Sequence, residues 1–260
     1  MRTEMAGYMT SLKDLARTMG LNERQEGLVK IFQQMRQLSG FVSACSVNNK
    51  EALITSFSER VYMLERQLLL LSVSGDPLST SPLESFINGS CRSAAFIYIY
   101  VALREVPIGG HLYSTFIERL RSALDHSGFV LAWSNAHPST LLWVLVIGGM
   151  AAIGRPERFW FVSQLAGVCM ILKLQTLQDM KRILRDIAWV EGLYDGLMKT
   201  LWTEIEVQLS SGIIGKRKDR GEELALTLRE KEEDGHGNMY LVHDKGDIST
   251  ENRDAAGYAK

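Results

Sequence analysis

Between Leu141 and Gly154 the chain carries no charged residue, inside the run His137 to Phe161, HPSTLLWVLVIGGMAAIGRPERFWF. Fourteen such positions are too few to cross a bilayer, which needs about 20. They also leave no polar face to turn toward water, so the stretch predicts a helix buried on all sides of a core. Pro138 falls in its first turn, where a missing N–H costs nothing, and Gly154 with Pro156 breaks it. Glycine within a helix costs about 1 kcal/mol relative to alanine. Gly148 and Gly149 are therefore expected where another backbone comes too near for a side chain. They are not a phosphate loop, because the G-x-G-x-x-G spacing and the Lys-Ser/Thr ending are both missing.

A core helix of this kind needs a surround. The 260 residues, 46% of them hydrophobic, suffice to build one. A formal charge of −1 supplies no bulk field to draw the protein onto nucleic acid or an anionic membrane. Cys45, Cys91 and Cys169 lie far apart among apolar or small residues, which supports neither a disulfide framework nor a zinc cluster. Buried reduced thiols in an intracellular protein are expected. Charges at Arg2, Glu4, Lys13 and Asp14 interrupt any secretory signal at the N-terminus.

Apolar spacing predicts helices along most of the chain. A short amphipathic one covers Glu4–Met19, and a second, capped by Asn22 and ending at Gly40, presents Leu28, Ile31, Phe32, Met35 and Leu38. A third, from about Asn49 to Leu71, repeats Leu53, Phe57, Val61, Leu64, Leu68 and Leu71 at near-heptad spacing. That stripe suits a helix docked along a neighbour within the domain, and a homodimer zipper is the alternative. The turn-rich SVSGDPLSTSP closes this first region, so that 1–71 holds N-terminal helices and 72–82 a connector. Pro82 then opens a helix through Leu103, with strand as the runner-up for FIYIYVAL. Further helices are expected at Leu112 to about Gly128, at the central stretch, from Pro156 to Leu172, at Thr176–Val190 and at Leu193–Leu209. The expectation is an all-α domain of about nine helices, its core in 83–211. From 212 to 260 the chain turns charged and poor in large apolar groups, which predicts a disordered tail. Within it Lys216, Arg217, Lys218 and Arg220 form a candidate nuclear-import cluster.

Chemistry-bearing motifs are sparse. His111, His126 and His137 sit at helix boundaries and His236 and His243 in the tail, with no pair at i, i+4 spacing to hold a metal. Glu191, Glu204 and Glu206 have no second acid or base at a readable spacing. Catalytic, cofactor and metal sites are accordingly expected to be none. Arg155, Glu157 and Arg158 mark the exit of the central helix, as ion pairs and caps or as the lining of an effector pocket. Trp143, Trp160, Trp189 and Trp202 supply large apolar surface. The candidate effector or interaction region is Trp143, Gly148, Gly149, Arg155, Glu157 and Trp160, with room for a small apolar effector between helices near the two tryptophans.

Taken in order, SCRSAAFIYIYVALREVP, FIERLRSAL, HPSTLLWVLVIGGMAAIGRPERFWFV and IAWVEGLYDGLMKTLWTEIE resemble the helical, fungal-specific transcription factor domain that follows a zinc binuclear cluster in fungal regulators. The resemblance runs from about Pro82 to Leu209. It implies an all-α regulatory region, not catalytic, that influences activation through protein partners or an effector. Family members usually begin with six cysteines binding two zinc ions, and here the first forty residues hold none. The reading that follows is a nuclear regulator without its own zinc cluster, with no direct contact to nucleic acid or membrane. A helical scaffold or subunit, in nucleus or cytoplasm, is the alternative, and an all-α enzyme of fungal metabolism is the weaker one.

Overall fold

A computed structural model describes residues 12–19, 21, 25–45, 51–71, 81–108, 110–125 and 127–211. Its helices are α1 (Leu12–Met19), α2 (Glu26–Cys45), α3 (Glu51–Leu70), α4 (Pro82–Tyr98), α5 (His111–Ala123), α6 (Ser127–Ala136), α7 (Pro138–Ala151), α8 (Glu157–Ile171), α9 (Leu177–Ile187) and α10 (Asp195–Ser210). No strand occurs among the described residues, and the fold is all-α. Residues 212–260, with the expected tail and the cluster at Lys216, Arg217, Lys218 and Arg220, lie outside them, as do Asn22 and most of the connector.

Local chemistry accounts for several helix starts. Ser81 accepts from the Glu84 N–H and Glu84 accepts from the Ser81 N–H, a capping box with Pro82 in the first turn of α4. Thr176 and Asp179 repeat the device at α9. Other bounds move. α2 does not stop at Gly40, because that glycine is buried in the packed helix and burial there outweighs its poor propensity. The stretch expected to run as one helix to Gly128 divides at Leu124, and α6 is a separate helix, which raises the count to ten among the described residues.

FIYIYVAL is helical. α4 passes into a π-helical turn, Ile99–Leu103, in which the Arg104 N–H reaches back to the Ile99 carbonyl at 2.9 Å. Widening the turn leaves carbonyls to be satisfied from elsewhere. Tyr194 Oη donates to the Val101 oxygen at 2.7 Å, and Tyr113 Oη donates to that of Val106 at 2.8 Å. Pro82–Leu103 is long and apolar enough to cross a membrane, yet 61% of its most apolar window is buried inside the protein. Cys91, Ala94, Ala95, Ile97, Tyr98 and Ile99 all face the core.

That core is continuous from α1 to α10. Leu15 and Met19 of α1 and Phe32 and Met35 of α2 share it with α7, so the helices before the connector pack into the same body as those after it. The near-heptad stripe of α3 belongs to it too. Val61, Leu64 and Leu68 are at most 2% exposed, and α3 packs on α2 and α4. These three residues fill holes of the same chain, as expected of a helix docked along a neighbour within the domain.

Candidate functional site

Helix α7 lies at the centre. Every residue from Thr140 to Ala151 is buried, as expected of a segment with no polar face. Trp143 is fully enclosed: its indole N–H donates to the Ala188 carbonyl at 2.7 Å, and its ring meets Phe32 edge-on at 5.0 Å and Tyr98 at 5.5 Å. Ser39 Oγ donates to the Met35 carbonyl and sits 2.6 Å from Tyr98 Oη, so the tyrosine donates to the serine. Burial pushes the Tyr98 phenol well up, out of any physiological titration. Thr140 ties the other end of α7 to α1 through the Met19 carbonyl at 3.0 Å.

The two glycines of α7 differ. A Cβ on Gly148 would lie 2.4 Å from Phe161 Cε1 and 2.9 Å from Leu120 Cδ2, so close packing does require glycine there, against side chains and not another backbone. A Cβ on Gly149 would find ordinary contacts, the nearest at 3.5 Å. What Gly149 contributes is its carbonyl, which accepts from Arg158 Nη1. The same guanidinium holds Glu204 of α10 through two bonds, 2.8 Å from Nε and 3.1 Å from Nη2. Arg158 thus clasps α7, α8 and α10 together. Gly154, at φ +70°, takes the left-handed conformation that ends the segment after α7. Arg155 turns toward α5, donating to Ser114 Oγ at 2.6 Å and to the Gly110 carbonyl at 3.0 Å. Glu157 is half-buried in the first turn of α8, where the helix dipole favours a carboxylate.

Of the candidate residues, Trp160 borders a cavity. This groove, about 260 Å³ between α6, α8 and the end of α5, is walled by Leu124, Val130, Leu131, Val168 and Ile171, with Ser134 and Gln164 as polar members. The Arg121 guanidinium lies over the Trp160 ring at 4.2 Å from its centroid and pairs with Asp125 at 2.8 Å, closing one end with charge. Gly167 opens the wall, since a Cβ there would have no atom within 4 Å. Trp143, by contrast, is fully enclosed in the core, so the two tryptophans of the candidate region stand in different surroundings, one packed among Phe32 and Tyr98 and the other at the edge of this groove. The residues that sequence reasoning missed, Val130, Leu131, Ser134, Gln164 and Gly167, belong to α6 and to the outer stripe of α8.

No group of three or more His, Cys, Asp or Glu among the described residues could hold a metal ion. Cys91 and Cys169 are free and buried. Burial pushes the Cys169 thiol up to about 12, and Cys91 higher still, so both stay protonated and unreactive.

The family of fungal-specific transcription factor domains matches this chain over residues 4–191. The chain belongs to that family. The matched span takes in the helices before the connector, which the resemblance had left out, and ends at Glu191, ahead of α10. No curated protein and no solved structure matches the chain. Membership gives it a role of the transcription-regulator type, in a family that is not catalytic.

Proposed function

We propose that this chain is a nuclear regulatory module that works through what binds its surface, a protein partner or a small apolar effector, and leaves the reading of DNA to another polypeptide. Family membership supports the regulatory part. The α6–α8 groove supports the effector part. Its walls are apolar, its volume of about 260 Å³ lies just under the range usual for drug-sized ligands, and Gln164 brings both a donor and an acceptor into it. A compact apolar molecule with one hydrogen-bonding group fits that lining.

Gly167→Leu fills the groove from a position whose Cβ meets nothing, and it improves helix propensity. In a thermal-shift screen with apolar metabolites, binding to the native state raises the melting temperature of the wild type. The same compound is expected to leave Gly167→Leu unshifted. A compound that stabilises both proteins equally, or a broad panel that shifts neither, overturns the effector reading. Retardation of a DNA fragment with strong sequence preference at physiological salt would overturn the indirect one.

A further inference from the structure

We infer that two copies of this chain pair antiparallel through the outer face of α3, with Tyr62 and Met63 at the centre and Glu59 of each copy against Arg66 of the other. The inward stripe of α3 is used inside the chain, but the helix has a second apolar strip. Tyr62 is 61% exposed and Met63 46%, and Leu69 and Leu70 beyond them are 56% and 53% exposed. With Glu59 and Arg66, both exposed, these residues recur at spacings of three and four and share an arc of roughly 120° on a helix of 3.6 residues per turn. Two apolar pairs, Tyr62–Met63 and Leu69–Leu70, thus share one exposed face with Arg66 between them, and grouped exposed apolar side chains mark an interaction surface.

The charges identify the occupant. Glu59 and Arg66 are seven residues apart, on the same line of the helix, and stand symmetrically about the Tyr62–Met63 pair. Neither forms an ion pair among the described residues, whereas Glu65 between them is taken by Arg104 at 2.6 Å. A two-fold axis passing between Tyr62 and Met63 sets each Glu59 opposite an Arg66 and each Tyr62 opposite a Met63. Parallel pairing in register would instead set glutamate on glutamate and arginine on arginine. The segment from Glu59 to Arg66 is thus complementary to itself under one symmetry operation, which is the condition for a closed dimer interface, while Leu69 and Leu70 fall at its ends, level with Ser56 and Thr55 of the other copy. Exposed pairs of this kind add little affinity one by one; their effect is to fix register and exclude the parallel arrangement.

The test is sedimentation velocity of the full chain over a range of concentrations. Wild type is expected to pass from monomer to dimer as concentration rises. Glu59→Arg gives four arginines at the two contacts and Arg66→Glu gives four glutamates, so each variant alone is expected to lose at least about tenfold in dimer affinity, which corresponds to about 1.4 kcal/mol. An equimolar mixture of the two regains it as a heterodimer, because every contact is then opposite in sign. The double variant Glu59→Arg with Arg66→Glu regains it as a homodimer. Circular dichroism and melting of the monomeric forms stay as in wild type, since both positions are exposed. A wild type that remains monomeric throughout, single variants that dimerise like wild type, or a mixture that fails to associate each overturns the pairing.

Discussion

Helices α7 and α3 are both rich in apolar residues, and the chain treats them oppositely. In α7 there is no charge on any face, and the fold encloses the helix from Thr140 to Ala151. In α3, Glu59, Arg60, Glu65 and Arg66 interrupt the apolar sequence. The helix lies at the surface, with Val61, Leu64 and Leu68 inside and Tyr62, Met63, Leu69 and Leu70 outside. The difference teaches that the absence of charge, more than the number of apolar residues, decides enclosure. A helix without a polar face has no orientation in which water is acceptable. One with a few charges can solvate those and still expose an apolar strip, which is then left for a partner.

The sharpest way to break this comparison is to remove the same kind of side chain from each helix. Trp143→Ala deletes an enclosed aromatic, forfeits its contacts with Phe32 and Tyr98, and leaves the Ala188 carbonyl without its donor. Large-to-small changes of this sort cost about 3–5 kcal/mol. That is a large part of the stability of an ordinary domain, and urea denaturation followed by circular dichroism measures it. A loss below about 1 kcal/mol, within the range of an ordinary surface change, would mean that α7 is not the centre it has been taken for.

A smaller effect separates two positions inside α7. Gly148→Ala drives a Cβ toward the enclosed Phe161 ring and Leu120, and overpacking of a filled core costs about 1–3 kcal/mol. Gly149→Ala meets only ordinary contacts, so the better helix propensity of alanine is expected to show, a gain of up to about 1 kcal/mol. Opposite signs at adjacent positions, read from the same denaturation curves, are the expected outcome. Equal losses would mean that α8 packs as tightly over the second glycine as over the first.

These two glycines also show how far the sequence was legible. The all-α class, the buried α7, the start of α4 at Pro82 and the break at Gly154 all follow from local signals: periodicity, absent charge, caps and turn residues. The candidate site followed only in part. Trp143 and Trp160 look alike in sequence, and what separates them is which elements cover them, a tertiary fact. Arg158 and Glu204 lie 46 positions apart, so no spacing announces their pairing, and Arg155 reaches Gly110 across 45. Helix α6, which walls the groove, is ten residues long and buries Trp133 while exposing Leu131 at 62%. Its apolar residues form no single stripe, and a periodicity argument passes over it. The π turn after α4 escaped for a related reason: its Val101 carbonyl is satisfied by Tyr194, from the segment leading into α10, and the chain just beyond it is held by Tyr113 of α5 through the Val106 carbonyl.

The smallest effect on folding is the one that bears most on α3. Tyr62→Ala removes a side chain that is 61% exposed, so the stability of the monomer is expected to stay within about 0.5 kcal/mol of wild type. The denaturation must be done at a concentration where the wild type is monomeric, because dimerisation adds its own stabilisation by mass action. At higher concentration the two proteins should part: wild type gains stability as it associates, and Tyr62→Ala gains much less. The contrast with Trp143→Ala is then complete, one aromatic acting within the chain and the other between chains. If Tyr62→Ala instead cost the monomer more than about 1 kcal/mol, beyond what an exposed position allows, the outer strip of α3 would be covered by the chain itself, and the two helices would differ only in degree.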